Sequence, residues 1–278
     1  MKELMGSLSS VFPALGARWG NYLWYRTQKP ALSVAEKSLM QDAQVEYLRI
    51  ANTSVPVYRF PAEGPRLLLV HGWGGRASHF SFVIHRLRRL NFDIVTFDAP
   101  GHGLAPGRRS NFYEFTQAVS AVGQANAPID GIIAHSAGGL CALSSIATGL
   151  ATQKLACINP VFSLNDLLFG HFSEKHGIPQ SIAKRVERKI EQRFGASIWP
   201  DFDGAKRLSQ LNLPVLFMHD ADDPITPIAS WLPHQQNAPN LMIEKTQGLG
   251  HHGGLLDKKT LSKLVDFFSV GEVMANAS

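Results

Sequence analysis

Apolar residues in this chain fall into two alternating rhythms. Short, nearly continuous apolar runs occur at residues 66–71, 92–98, 129–135, 155–159, 215–219 and 241–245, each separated from the next by a helix-length segment. Buried strands alternating with helices specify an α/β fold with a mostly parallel central sheet flanked by helices on both faces. Two earlier runs, 45–50 and 55–60, flank an Asn52-Thr53-Ser54 turn and read as a leading hairpin.

The helices follow from period and caps. Phe80, Phe82, Val83, Leu87 and Leu90 approximate one helical face, and Asn111 with Glu114 three residues on resembles a capping box. Leu261, Leu264, Val265 and Phe268 give the i, i+3, i+4, i+7 stripe of a last helix starting near Asp257. Between Asn159 and Leu213 the strand rhythm pauses for too long to be an ordinary connection, and the pattern there is helical. Leu164, Leu167, Leu168 and Phe172 form one stripe, Gly177-Ile178-Pro179 breaks the chain, and Ile182, Val186 and Ile190 begin another. The expected organisation is an N-terminal helical segment packed on the body (1–44), the first part of the core (45–160), an inserted helical cap (161–212) and the second part of the core (213–278).

Composition narrows the class. A chain of 278 residues, 45% hydrophobic and 18% charged, can bury one large core. The net charge of +5 is dispersed among acids, including on the second cap helix, where Lys184, Arg185, Arg188, Lys189 and Arg193 are interspersed with Glu187 and Glu191. Nucleic-acid binding is therefore not expected. Cys141 and Cys157 lie in apolar segments, which fits buried thiols in a reducing, cytoplasmic setting better than a disulfide. The first twenty residues are too interrupted for a secretory leader, and the charge-free span 131–152 changes from strand to helix partway, so no integral membrane segment is expected. Trp19, Leu23, Trp24 and Tyr25 with Arg18 and Arg26 could lie on a membrane surface, but a helix packed on the body is the preferred reading.

The chemistry gathers at strand ends. Gly131-Ile132-Ile133-Ala134-His135-Ser136-Ala137-Gly138-Gly139 reads as strand, sharp turn and helix, with Ser136 either an exposed nucleophile or a simple helix cap. His71-Gly72-Trp73-Gly74-Gly75 is either a plain glycine turn or a source of an oxyanion donor from the Trp73 N–H. The Pro/Gly turn Asp98-Ala99-Pro100-Gly101-His102-Gly103 reads as structural, with Asp98 able to bind loop N–H groups. Asp220, Asp222 and Asp223 share one loop, yet they lack the alternate oxygen ligands and closing glutamate of a calcium site. His251 and His252 are adjacent, a poor arrangement for binding one zinc ion, and a glycine-flanked histidine suits proton transfer. No metal or other cofactor is expected.

Taken in order, Ser136, Asp223 and His251, with the Trp73 turn upstream, resemble the α/β-hydrolase family, in its serine esterase and lipase branch, over nearly the whole chain from Val45 to Phe268. The resemblance rests on His-Gly-x at 71–73, Asp-x-Pro-Gly-His-Gly at 98–103, small-His-Ser-x-Gly at 134–138, Asp-Asp-Pro-Ile-Thr-Pro at 222–227 and Gly-His at 250–251. It implies Ser136 as nucleophile, His251 as general base and acid, Asp223 as the orienting carboxylate, and the N–H groups of Trp73 and Ala137 as the oxyanion hole. The family's acid stands four residues before a proline, here Pro227, which selects Asp223 over Asp220 and Asp222. Its base follows a glycine, here Gly250, which selects His251 over His252. Ala134, Asp220 and Ala105 stand where the family commonly has glycine, glycine and serine.

The expected activity is hydrolysis of a small-molecule ester or thioester through an acyl-enzyme. Phe162, Leu167, Leu168, Phe169 and Phe172 of the cap would offer an apolar substrate pocket or simply pack the cap. The same triad serves amidases, acyltransferases and C–C hydrolases, and a ligand-binding protein with little turnover would keep the same shell. Oligomeric state is left open by the sequence.

Overall fold

The computed structural model describes residues 12–269, so residues 1–11 of the predicted N-terminal segment, and 270–278, lie outside the described residues. Among the described residues eight strands form one sheet: β1 (Gln44–Ile50), β2 (Thr53–Phe60), β3 (Arg66–Val70), β4 (Asp93–Phe97), β5 (Gly131–His135), β6 (Lys154–Ile158), β7 (Val215–Asp220) and β8 (Leu241–Thr246). Their spatial order is β1-β2-β4-β3-β5-β6-β7-β8. The hairpin β1–β2 and the β2–β4 pair are antiparallel, and every pairing from β4 to β8 is parallel.

The continuous apolar character of the inner strands has a direct structural cause. Successive side chains point to opposite faces, and both faces are covered. Leu68, Val70, Ile132, Ala134, Cys157 and Phe217 belong to one buried cluster, while their chain neighbours Leu67, Leu69, Ile133, Ala156, Ile158 and Met218 belong to the other. The covering helices are α1 (Pro13–Tyr25), α2 (Val34–Gln41), α3 (Ser81–Arg88), α4 (Phe112–Ala125), α5 (Ala137–Ala147), α6 (Gln180–Phe194) and α7 (Lys258–Ser269), with shorter turns between them. Caps set several starts: Ser33 and Glu36 complete a capping box on α2, and the Asn111 side chain accepts from the Glu114 N–H on α4. Helix α3 stops at Arg88, which leaves Leu90 38% exposed, outside the face the pattern suggested.

Residues after β6 leave the sheet and form the helical layer above it. Leu164–Asp166, a π turn at Leu167–Phe172 and Ser173–His176 make its first helix, and α6 its second. Asp201 ties this layer down, because its carboxylate accepts from Tyr113 Oη at 2.7 Å and its carbonyl from Ser144 Oγ at 3.1 Å. Helix α1 packs on α6 as well as on the body, with Trp24 edge-on to Phe172 at 5.0 Å. Cys141 and Cys157 are free and buried, and burial raises both thiol pKa values, that of Cys141 to about 12.

Candidate active site

Ser136 sits between the end of β5 and the start of α5 with φ +54° and ψ −125°, a conformation that costs a non-glycine residue on the order of 1–3 kcal/mol and needs surrounding support. The support is visible. The Ser136 N–H donates to the Ile158 carbonyl at 3.0 Å, and its carbonyl accepts from the N–H groups of Gly139 at 2.9 Å and Val161 at 3.2 Å. Gly72 makes room for the turn, since a Cβ there would stand 2.9 Å from Ser136 Cβ and 3.2 Å from the His135 carbonyl.

The end of β8 brings His251 against this serine. The Ser136 hydroxyl and His251 Nε2 are 2.8 Å apart, and His251 Nδ1 is 2.7 Å from Asp223 Oδ2. An ionised carboxylate only accepts, so Nδ1 carries the proton and Nε2 presents its lone pair to the hydroxyl. All three residues are buried. Burial by itself would raise the Asp223 pKa, but hydrogen bonds from His251, Thr226 and the Ile225 N–H outweigh it and hold the carboxyl at about 2. The Thr226 hydroxyl donates to Asp223 Oδ2 at 2.7 Å, and the N–H groups of Ile225 and Thr226 donate to Oδ1 at 2.8 and 3.1 Å.

A second set of contacts places the histidine's backbone. The His251 carbonyl accepts from His135 Nε2 at 2.9 Å and from Asn159 Nδ2 at 3.0 Å. Asn159 Nδ2 also reaches the Gly250 carbonyl, and Asn159 Oδ1 takes the Asp220 N–H. Asp220 grips the same loop from below: Oδ1 accepts from the N–H groups of Gly250 and Asp222, and Oδ2 from the Leu249 N–H and the Thr246 hydroxyl. The sequence pattern assigns no role to Thr226, Asn159 or His135, and offers Asp220 only as an alternative to Asp223. Thr226 and His135 stand inside the Asp-Asp-Pro-Ile-Thr-Pro and small-His-Ser-x-Gly motifs, the signal that could find them.

Trp73 and Ala137, whose N–H groups the family resemblance implies as oxyanion donors, line the cavity beside the serine. Ala137 occupies the first position of α5, where helix geometry leaves its N–H without an intrahelical acceptor. Trp73 follows Gly72 at the cavity wall, with its ring stacked on Phe112 at 5.4 Å and its Nε1 donating to the Arg26 carbonyl at 3.3 Å. Its loop is fixed by two buried groups. His71 donates from Nδ1 to the Gly72 carbonyl and accepts the Ala99 N–H at Nε2, while Asp98 accepts from Tyr58 Oη and from the N–H groups of Ala77 and Leu104. Asp98 therefore has the structural place its loop suggested.

A cavity of about 530 Å³ opens over the serine. Ser136, Ala137, Trp73 and His251 line it together with Leu167, Phe172 and His171 from the cap, and Leu23 and Trp24 from α1. A second cavity of about 270 Å³ adjoins it and is lined by Phe162, Leu167 and Phe169. The five apolar cap residues therefore divide. Leu167 borders both spaces, Phe172 the triad cavity, and Phe162 and Phe169 the neighbouring one, whereas Leu168 is fully buried in the core and borders neither. Among the described residues no group of three or more His, Cys, Asp or Glu side chains is arranged to hold a metal ion, and no helix is long and apolar enough to cross a membrane.

The alpha/beta hydrolase family model matches residues 67–258, which span the serine, the acid and the histidine. The chain belongs to this family. Among solved structures, this α/β hydrolase is similar to an esterase from Pyrococcus furiosus at TM-score 0.66 and 14% identity, covering 87% of this chain and 95% of that one. An esterase from Exiguobacterium antarcticum matches at TM-score 0.63 and 17% identity over 81% of this chain and 100% of its own. Est1E from Butyrivibrio proteoclasticus, solved with ferulic acid bound, matches at TM-score 0.61 and 15% identity over 84% of this chain and 100% of its own. At such identities the likeness is one of fold. No curated protein matches the sequence.

Proposed function

We propose that this α/β hydrolase is a serine hydrolase that cleaves a small-molecule ester or thioester through an acyl-enzyme on Ser136. The observation that carries the reading is the unbroken chain from Ser136 Oγ through the His251 ring to Asp223, with links of 2.8 and 2.7 Å. A serine hydroxyl at its ordinary pKa is a weak nucleophile, so attack needs a base within hydrogen-bond reach. As Oγ bonds to the substrate carbonyl carbon, its proton passes to His251 Nε2, and Asp223 stabilises the imidazolium through Nδ1–H. The carbonyl oxygen becomes an oxyanion facing the Trp73 and Ala137 N–H groups, and one such donor lowers the barrier by about 3 kcal/mol. Collapse expels the alcohol or thiol, which takes the proton from His251. Water then attacks the acyl carbon, gives its proton to His251 and releases the acid, and Ser136 recovers its hydrogen.

Leu167 and Phe172 support an apolar acyl or alcohol group beside the serine, and the neighbouring space at Phe162 and Phe169 would accommodate its extension. The test is hydrolysis of a p-nitrophenyl ester and thioester series by the wild type and Ser136→Ala, with covalent labelling by a fluorophosphonate probe. Turnover and labelling are expected in the wild type alone. Equal rates in both proteins, or no turnover on any ester, thioester or amide, would defeat the proposal.

A further inference from the structure

Helix α1 carries two apolar faces, and they have different surroundings. Gly16, Ala17, Gly20 and Trp24 are buried. A Cβ on Gly20 would lie 2.9 Å from Val186 Cγ2, so the glycine lets α1 approach α6 closely. The end of the helix is fixed by further bonds: the Tyr25 carbonyl accepts the Ser110 N–H, the Arg26 carbonyl accepts Trp73 Nε1, and the Thr27 hydroxyl donates to the Gly101 carbonyl. The other face is open. Phe12, Leu15, Trp19 and Tyr22 are 54, 56, 44 and 40% exposed, and their spacing of three, four and three residues sets them in one stripe. The rings of Trp19 and Tyr22 are 5.7 Å apart.

The helix that carries this stripe has charge of one sign. Residues 12–32 contain Arg18, Arg26 and Lys29 and neither aspartate nor glutamate. The guanidinium groups of Arg26 and Arg109 stand 5.9 and 5.8 Å from the Tyr22 ring centroid. On the adjoining α6, Lys184, Arg185, Arg188, Lys189 and Arg193 are exposed, while Glu187 and Glu191 are half-buried and Glu191 is occupied by Trp199 Nε1.

An exposed row of phenylalanine, leucine, tryptophan and tyrosine bordered by cations suits a fluid, negatively charged surface. The rings enter the boundary between headgroups and acyl chains, and the arginines meet the phosphates. The stripe residues line neither of the two cavities described above. We propose that α1 docks this protein peripherally on an anionic lipid surface. Leu23 and Trp24 of the same helix line the triad cavity, so docking would set the cavity beside the lipid. The docking itself does not depend on the catalytic reading.

The test is co-sedimentation of the full chain with vesicles of equal parts phosphatidylcholine and phosphatidylglycerol, and with phosphatidylcholine alone. The wild type is expected to partition onto the anionic vesicles about tenfold more strongly than a Trp19→Ser/Tyr22→Ser variant, with weaker binding to neutral vesicles and at high salt. An unchanged melting temperature shows that the variant folds, and its turnover of a soluble short-chain ester should match the wild type. Equal sedimentation of wild type and variant, or none of either, overturns the proposal. So does a wild-type dimer in light scattering that the variant loses, which would assign the face to a second copy. Binding that appears only after removal of residues 1–11 would assign it to that segment and overturn the proposal likewise.

Discussion

Thr226 Oγ1 donates to Asp223 Oδ2 at 2.7 Å, the same carboxylate oxygen that faces His251 Nδ1. The threonine therefore helps keep the acid ionised and turned toward the histidine. Asp223→Asn should lower kcat by about 10⁴-fold, because an amide there favours the wrong imidazole tautomer. Thr226→Val removes one donor of several, worth about 1 kcal/mol, so kcat should fall by only about five- to tenfold with KM little changed. Steady-state kinetics on one ester separates the two. A Thr226→Val enzyme as impaired as Asp223→Asn would mean that the threonine does more than hold the carboxylate.

Asp220 acts at one remove, through the loop that carries His251. Its carboxylate takes N–H donors from Asp222, Leu249 and Gly250 and the Thr246 hydroxyl. Asp220→Ala leaves several of these donors without their acceptor, which should destabilise the fold by about 1–3 kcal/mol and let the histidine drift. The signature of positioning is a fall in kcat with little change in KM, partly restored in Asp220→Asn, whose one carbonyl oxygen still accepts. Loss of stability with kcat unchanged would reduce Asp220 to a structural clamp.

The sheet was legible because its inner strands are buried on both sides, so the runs ending at Val70, Phe97, His135 and Ile158 hardly alternate. Ser136, Asp223 and His251, which the structure brings together, could be picked out as candidates because each follows a strand end within a recognisable motif. The clamp at Asp220 was not, since its meaning depends on two loops, some 26 to 30 residues apart in sequence, meeting in space. Asn159 was hidden for the same reason: its side chain bridges β6, β7 and the histidine loop from a residue at φ +46°. In the cap, a regular helical period sets Leu167 and Leu168 in one stripe. The π turn at Leu167–Phe172, with Gly170 off helical geometry, breaks that phase.

Stability should fall as pH drops below about 6.5. Burial is the main cause that pushes His71 and His102 down to about 3, far below the ordinary value of 6.5. Between those limits the unfolded chain binds a proton that the fold excludes, so each histidine removes about 1.4 kcal/mol of stability per pH unit as pH falls from 6.5 toward 3. Above 6.5 neither contributes. Asp223 works in the same direction only lower down, its contribution being lost as pH falls from 3.8 through about 2. Among the described residues His102 Nε2 has no hydrogen-bond partner, and Nδ1 bonds the Pro100 carbonyl. His102→Asn keeps a donor for that carbonyl and removes the titration, so urea midpoints plotted against pH should give a shallower slope. Parallel slopes for wild type and variant would exclude His102 as a source of acid sensitivity.

Leu167 and Leu168, adjacent in sequence, should respond in opposite ways to the same substitution. Leu168 is fully buried in the core, whereas Leu167 is half-buried and borders both cavities. Leu168→Ala removes packed core atoms and leaves a void, which should cost about 2–5 kcal/mol in unfolding free energy while leaving the order of preference among acyl chain lengths unchanged. Leu167→Ala opens the cavity wall where relaxation and water can compensate, so stability should change by less than about 1.5 kcal/mol and preference should move toward longer acyl chains. Chain-length profiles of kcat/KM beside chemical denaturation of both variants decide the matter. A shifted profile in Leu168→Ala with an unshifted one in Leu167→Ala would mean that the substrate lies on the other side of this helix.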